Sequence, residues 1–170
     1  MTHQNPVIVI PGITGSGLVD HYPLDADEIW SMIFNKDYER LALHPDDLRF
    51  EAIGPADVAV GRLIPIYDDL IRALRHELSP RADQPTPVFA FPYDWRMDIR
   101  HNARRLREFI DEVIARTRLL RHYATASALR VDLVGHSMGG LIIGELLAEF
   151  GRTALVGKVV TIGTPWHGSI

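Results

Sequence analysis

The sequence predicts an α/β fold built on a parallel β-sheet. Four short runs of β-branched or aromatic residues alternate with segments of helical period, the pattern of βαβ units. The 170 residues are 46% apolar and 24% charged, which is the composition of an ordinary globular domain. We therefore expect one domain over residues 1–170, with residues 18–64 as an inserted loop or cap-like segment.

Each predicted strand is a short apolar run that ends at a turn signal. The four strands are residues 7–10, 88–91, 131–134 and 159–162. Apolar residues at helical spacing predict helices near 67–78, 106–114 and 141–150. Residues 18–64 show no sustained period apart from an apolar stretch at 28–34. That stretch suits either a short core helix or a lid that meets lipid.

Composition excludes several classes of function. A net charge of −4 does not favour nucleic acid as a partner. The absence of cysteine excludes disulfides, a thiolate nucleophile and cysteine-ligated metals, and the acidic residues lack the spacing of metal ligands, so we expect no cofactor or metal. No apolar run is long enough for a membrane span and no secretory signal is visible, so we expect a cytoplasmic protein. Its oligomeric state is left open.

The strongest chemical signal is the G-x-S-x-G pattern at residues 135–139, between a predicted strand and a predicted helix. This is the nucleophile elbow of serine hydrolases, in which a sharp turn exposes the serine, here Ser137. The strand and helix approach so closely that the positions two before and two after the serine, Gly135 and Gly139, have no room for side chains. The sequence therefore predicts Ser137 as a nucleophile.

Acyl transfer also requires two backbone N–H donors directed at the developing oxyanion. The elbow supplies one from Met138, the residue after the serine. We expect the second from Ile13, because the first and third strands would be neighbours and their carboxyl ends would meet. A phosphate cradle at residues 12–17 is disfavoured, since Leu18 stands where a Walker lysine would be needed.

Four segments resemble one known family. The segments PVIVIPGITGSGL, FPYDWR, DLVGHSMGG and IGTPWHGS occur in the order found in the lecithin:cholesterol acyltransferase family, which includes phospholipid:diacylglycerol acyltransferases and lysosomal phospholipase A2. The similarity runs from Pro6 to Ser169 and is loose over residues 18–64. The PYDWR segment distinguishes this family from other lipases.

The resemblance implies an α/β-hydrolase fold with helices on both faces of the sheet, and acyl transfer from a lipid or other ester through a Ser137 acyl-enzyme. It implies that Ile13 and Met138 form the oxyanion hole. Residues expected to line the substrate pocket are Gly12, Thr14, His136, Trp166 and His167. Whether water or an alcohol accepts the acyl group is not specified.

The triad partners depart from this pattern. In such families an acid and a histidine follow the serine, yet no aspartate follows Ser137, and Glu145 and Glu149 lie on the elbow helix. His167 is the only later histidine; a pocket-lining role is favoured over a makeshift base. We expect the C-terminal strands, with the acid and the base, to lie beyond this chain, so that the 170 residues alone lack a complete triad. The alternative is a non-catalytic α/β domain that binds lipid or a partner.

Two charged features have structural interpretations that we favour. Asp94 and Arg96 are expected to form an ion pair that supports the loops. The arginine-rich helix at 100–121 is expected to present a solvated face, and a transient contact with anionic membrane headgroups is the alternative.

Overall fold

Seven strands and four helices are found in the parts of the chain that the computed structural model describes, namely residues 4–21, 25–31, 36–41, 58–151 and 154–168. The strands are β1 (Val7–Ile10), β2 (Ser16–Asp20), β3 (Asp27–Trp30), β4 (Val58–Leu63), β5 (Val88–Ala90), β6 (Val131–His136) and β7 (Val156–Ile162). The helices are α1 (Tyr38–Leu41), α2 (Asp68–Leu78), α3 (Ile99–Arg118) and α4 (Met138–Phe150). A 3₁₀ turn at Pro65–Tyr67 leads into α2.

The main sheet is parallel and confirms the predicted α/β class. Its strands lie in the order β5-β1-β6-β7. β1 lies between β5 and β6, with Ile8 opposite both Phe89 and Leu133. The first and third predicted strands, β1 and β6, are therefore neighbours, as expected. As a result, the loop that follows Ile10 and the turn that follows His136 leave the same edge of the sheet.

Helices cover both faces of this sheet, as expected. Alternate residues of β1 point to opposite faces. Ile8 and Ile10 belong to the core formed with α3 and α4, whereas Val7 and Val9 belong to the core formed with α2. All four residues of β1 are buried, which explains why β1 reads as a continuous apolar run and not as an alternating one.

Helix α3 carries the arginine-rich sequence and forms much of the core. Its first turn is capped by Asp98, whose side chain accepts from the Arg100 N–H at 2.7 Å. Leu106 and Ile110 are fully buried. The charged face pairs with α4, since Arg104 Nε lies 2.9 Å from Glu149 Oε1. A second pair, Arg100 with Glu145 at 3.7 Å, and several i,i+3 and i,i+4 pairs make this the solvated, ion-paired face that was expected.

The segment expected to be an inserted loop contains a second sheet. Strands β2, β3 and β4 form an antiparallel sheet in the order β3-β2-β4. The core-helix interpretation of residues 28–34 is wrong for its described part, because Ile29 and Trp30 lie in β3 and are buried. Tertiary contacts explain the difference, since the Trp30 ring packs edge-on against Trp95 at 5.2 Å. Residues 32–34 of the proposed lid lie outside the described residues.

Strand β7 forms an edge of the parallel sheet. It starts three residues before the predicted strand, at Val156. Val159, Val160 and Ile162 are 39%, 51% and 47% exposed. Within the described residues, no strand pairs with the outer edge of β7. In the same part of the chain, no helix is both long and apolar enough to cross a membrane.

Candidate active site

Ser137 occupies a one-residue turn between β6 and α4. Its backbone has φ 50° and ψ −121°. A positive φ is strained for a residue with a side chain, and in the described part of the chain only Thr14 and Ser137 adopt it among non-glycine residues. The Ser137 amide N–H donates to Ile162 O at 2.8 Å, which ties the turn to the end of β7. The Ser137 hydroxyl does not cap α4.

Glycines make the turn possible because backbone fills the space where side chains would be. A Cβ atom on Gly135 would lie 2.7 Å from Ile143 Cδ1 and 2.8 Å from Gly140 N. A Cβ atom on Gly139 would lie 2.4 Å from Ile10 O and 2.5 Å from Pro11 O. All four distances are shorter than real Cβ contacts, so these two positions admit only glycine without displacement of the strand, the helix or the loop after β1.

A third glycine ties α4 to the loop after β7. A Cβ atom on Gly140 would lie 1.9 Å from the hydroxyl oxygen of Thr164. This hydroxyl is buried and has no hydrogen-bond partner among the described residues. Gly140 and Thr164 therefore fit each other closely, which accounts for two positions of the GHSMGG and GTPWHGS segments.

Ile13 and Met138, the two residues expected to supply the oxyanion donors, directly follow Gly12 and Ser137 in the chain. Met138 is the first residue of α4, whose N-terminus favours negative charge. Gly12 packs directly against the Ser137 turn, since a Cβ on Gly12 would lie 3.0 Å from Ser137 Cβ. Ile13 follows it and is 57% exposed. Among the described residues, neither the Ile13 nor the Met138 N–H has a recorded hydrogen-bond partner.

The loop after β1, residues 11–15, is held by a set of hydrogen bonds that sequence reasoning missed. The Tyr93 hydroxyl donates to Pro11 O at 3.0 Å, and the Gly12 N–H donates to the Tyr67 hydroxyl at 2.8 Å. A turn follows, in which the Gly15 N–H donates to Gly12 O at 3.1 Å. Positive φ at Thr14 is part of this turn.

Three further contacts brace this loop and Ser16, the first residue of β2, from Trp30 of β3 and from the PYDWR segment. Trp30 Nε1 donates to Thr14 O at 3.0 Å. Trp95 Nε1 donates to Ser16 O at 3.1 Å, and the Tyr93 N–H donates to Ser16 Oγ at 3.0 Å. Tyr93 and Trp95 could have been suspected from their place in PYDWR, whereas no local motif marks Tyr67.

The remaining predicted pocket residues, His136, Trp166 and His167, differ in their contacts. His136 is exposed, and its Nδ1 lies 2.8 Å from the Tyr67 hydroxyl. Trp166 is 54% exposed and lies against Gly144 of α4. His167 is exposed in a turn closed by the Gly168 N–H on Pro165 O at 3.0 Å, and it has no recorded hydrogen bond among the described residues.

The ion pair expected in PYDWR is present. Arg96 Nη2 lies 2.6 Å from Asp94 Oδ2, and Arg96 Nε lies 2.9 Å from Asp94 Oδ1. The Arg96 side chain is only 5% exposed, so this is a buried, two-point pair. Asn102 Nδ2 also donates to Asp94 O at 2.9 Å, which links the segment to α3. In the described part of the chain, no group of three His, Asp or Glu side chains is placed to hold a metal ion.

Comparison with known proteins decides the family. The family model for lecithin:cholesterol acyltransferase matches residues 59–170, which is more than half of the chain. The chain belongs to the lecithin:cholesterol acyltransferase family. The matched region contains the PYDWR segment, the Ser137 turn and the loop after β7. The resemblance drawn from the four sequence segments is therefore confirmed.

One relative and one solved structure show how far the likeness extends. The chain is 26% identical over 167 residues to lecithin-cholesterol acyltransferase-like 4 of Arabidopsis thaliana, a match that covers 82% of this chain and 29% of that relative. The crystal structure of the Tle4–Tli4 complex contains a chain of the same fold, with a TM-score of 0.58 and 19% identity. That match covers 95% of this chain and 46% of the other. This chain thus spans less than a third of its family relative's length.

Proposed function

We propose that this protein acts in serine-dependent acyl transfer on lipid esters, with Ser137 as the nucleophile. The observation that carries the proposal is the strained backbone of Ser137 beside two amide groups, Ile13 and Met138, whose N–H donors are unoccupied among the described residues. Family membership supports lipid esters as the substrate class, since the family description and the plant relative's name both refer to lecithin and cholesterol acyl transfer.

The proposed reaction proceeds through an acyl-enzyme. Ser137 Oγ forms a bond to the ester carbonyl carbon while its proton passes to a general base. The resulting oxyanion accepts hydrogen bonds from the Ile13 and Met138 N–H groups, and the positive end of α4 adds to its stabilisation. The bond from the carbonyl carbon to the alcohol oxygen then breaks, and that oxygen takes the proton from the base. Water or a second alcohol reverses these steps and releases the acyl group.

The acid of a triad is not Glu145 or Glu149. Glu149 lies 2.9 Å from Arg104, and Glu145 lies 3.7 Å from Arg100, so both carboxylates are directed at α3. Two groups are candidates for the general base. His167 is the only histidine after Ser137 in this sequence, and a base contributed by residues that this chain does not contain is the alternative.

An acyl-enzyme test addresses Ser137 directly. The purified chain is incubated with a fluorophosphonate, and its intact mass is measured for the unmodified protein, for Ser137→Ala and for Ser79→Ala. Ser79 lies at the end of α2, so its replacement is a matched control for a serine outside the site. We expect one adduct per chain in the unmodified protein and in Ser79→Ala, and none in Ser137→Ala.

The outcomes separate the two functions and the two bases. Labelling of the unmodified protein that is absent in Ser137→Ala supports Ser137 as the nucleophile. If labelling is also absent in His167→Ala, His167 is the base. Labelling that persists in His167→Ala assigns the base elsewhere. A folded chain that is not labelled at all contradicts activation of Ser137 in this chain and favours a non-catalytic domain that binds lipid or a partner.

The acyl acceptor is tested on vesicles. Phosphatidylcholine vesicles that carry a fluorescent acyl chain, with and without a sterol, distinguish free fatty acid from sterol ester as the product. A transient contact with the membrane surface is part of this proposal, because Ile13, which follows Gly12 beside the Ser137 turn, and Trp166, in the loop after β7, are each more than half exposed. Co-sedimentation with the same vesicles measures that contact.

A further inference from the structure

Two tyrosine hydroxyls hold the opposite ends of one peptide bond beside Ser137. The Pro11 carbonyl and the Gly12 N–H belong to the same planar unit. Tyr93 donates to the carbonyl at 3.0 Å, and Tyr67 accepts from the N–H at 2.8 Å. Tyr93 is 2% exposed and Tyr67 is 8% exposed, so both bonds are shielded from water and are stronger for it. The Pro11–Gly12 peptide therefore has a fixed position and a fixed tilt.

The next peptide bond contains the Ile13 N–H and is fixed in turn. Its carbonyl, Gly12 O, accepts from the Gly15 N–H at 3.1 Å. In a trans peptide the carbonyl and the N–H point in opposite directions, so this bond directs the Ile13 N–H away from the turn. The bonds to Tyr67 and Tyr93 determine where this donor lies, and the bond to Gly15 determines where it points.

Tyr67 also contacts the residue before the nucleophile. Its hydroxyl lies 2.8 Å from His136 Nδ1. The Tyr67 hydroxyl accepts a hydrogen bond from the Gly12 N–H and has one proton of its own to donate. Among the described residues, the acceptor within reach of that proton is His136 Nδ1. In this arrangement His136 Nδ1 accepts the bond, which corresponds to the tautomer with the ring proton on Nε2. Burial raises the pKa of Tyr67, while the Gly12 bond opposes that rise, so the hydroxyl keeps its proton at neutral pH.

We propose that Tyr67 is a positioning residue. It locks the loop of residues 11–15, which we call the donor loop, to the Ser137 turn through His136, and so preorganises the Ile13 N–H for the oxyanion. The proposal rests on the proposed function for its effect on rate, and on the hydrogen bonds alone for its effect on structure. Loop and turn are in direct contact, since a Cβ on Gly12 would lie 3.0 Å from both His136 Nδ1 and Ser137 Cβ. A loosened loop would therefore shift the donor relative to Ser137.

The test compares Tyr67→Phe with Tyr123→Phe. Tyr123 is a matched control, because it is a buried tyrosine whose hydroxyl bonds a backbone carbonyl, Gln4 O at 2.7 Å, near the opposite end of β1. The maximal rate of fluorophosphonate labelling at Ser137 and the half-saturating reagent concentration are measured for each. For Tyr67→Phe we expect the maximal rate to fall at least about tenfold with the half-saturating concentration unchanged, because small misplacements of catalytic groups cost rate and not binding. Tyr123→Phe is expected to match the unmodified protein.

Nuclear magnetic resonance supplies a readout that needs no activity. Ring ¹⁵N shifts, assigned by their loss in His136→Gln, report the tautomer of His136 in the unmodified protein. Hydrogen exchange reports the protection of the Gly12 N–H. We expect the Nε2–H tautomer and a protected amide, with protection reduced in Tyr67→Phe and retained in Tyr123→Phe.

The outcomes are separable. An Nδ1–H tautomer, or an unprotected Gly12 N–H in the unmodified protein, overturns the proposal even where Tyr67→Phe does not fold. Equal labelling rates for Tyr67→Phe and the unmodified protein overturn it as well. An unmodified protein that is folded but not labelled contradicts the proposed function, and the tautomer and exchange data then decide the structural role of Tyr67 by themselves.

Discussion

Replacement of Gly139 by alanine is expected to destabilise the protein by forcing α4 away from β1. The added Cβ would lie 2.4 Å from Ile10 O and 2.5 Å from Pro11 O. Both atoms belong to buried backbone, so neither can rotate away as a side chain would. The contact must lengthen by more than half an ångström to reach the range of real Cβ contacts. Pro11 O is also the acceptor of the Tyr93 hydroxyl, so the displacement reaches the donor loop.

The magnitude follows from a matched substitution on the same helix. Gly144→Ala also replaces a helical glycine, but its Cβ would meet Trp166 Cζ3 at 2.9 Å, on a side chain of a residue that is 54% exposed and not on buried backbone. In both variants alanine has a higher helix propensity than glycine, which stabilises α4 by at most about 1 kcal/mol. The gain is smaller at position 139, because this position lies in the first turn of α4 and not in the helix interior. Overpacking against backbone costs about 2 kcal/mol. We therefore expect the free energy of unfolding of Gly139→Ala to be about 2 kcal/mol lower than that of Gly144→Ala. This difference corresponds to about 6 °C in Tm.

Urea and thermal unfolding followed by circular dichroism measure the difference, and fluorophosphonate labelling measures its effect on Ser137. Gly139→Ala is expected to be both less stable and more slowly labelled, whereas Gly144→Ala is expected to be at least as stable as the unmodified protein. Equal stability of the two variants would refute the reasoning, because it would show that α4 and the end of β1 can separate at no cost.

Three further predictions concern ionisation, the sheet edge and the buried ion pair. Burial raises the pKa of Tyr93, so the folded protein keeps a proton that the unfolded chain loses above about pH 10. The free energy of unfolding, measured with urea at several pH values, should therefore fall as the pH rises above about 10, and it should fall less steeply in Tyr93→Phe. The exposed apolar edge of β7 predicts self-association of this chain in sedimentation velocity, and Val160→Lys should lower it by placing charge on that edge. The same distribution for both proteins would exclude the β7 edge as a contact. Asp94→Ala should cost about 3 kcal/mol of unfolding free energy by leaving Arg96 buried and unpaired, whereas Asp69→Ala, in an exposed pair, should cost less than about 1 kcal/mol.

The parallel sheet could be predicted because its strands are marked by residues that are adjacent in the sequence. Strand β1 is buried on both faces, so its apolar run is continuous and is followed at once by Pro11 and Gly12. The Ser137 turn was equally visible, since close packing of β6 on α4 dictates glycine at fixed distances from the serine. In both cases the physical requirement acts on residues that are adjacent in the sequence.

The second sheet could not be predicted because its pairing is not local. Strand β2 pairs with β4, where Leu18 lies opposite Val60, and β4 is preceded by residues with no periodic pattern. Strand β3 has two exposed acidic residues before Ile29 and Trp30, which removes the alternation by which a strand is recognised. Contacts with Trp95 and Thr14 determine the conformation of Trp30, and neither contact can be seen from the local sequence.

The support of the donor loop was missed for the same reason, and it changes the meaning of the PYDWR segment. Sequence reasoning assigned that segment an ion pair, which is present, but its aromatic residues have the closer connection to the site. Tyr93 bonds Pro11 O across 82 positions of sequence, and Trp95 bonds Ser16 O across 79. The PGITGSG and PYDWR segments therefore complete each other's hydrogen bonds. The chemistry proposed for Ser137 depends on a loop whose geometry is determined by residues that take no part in the reaction.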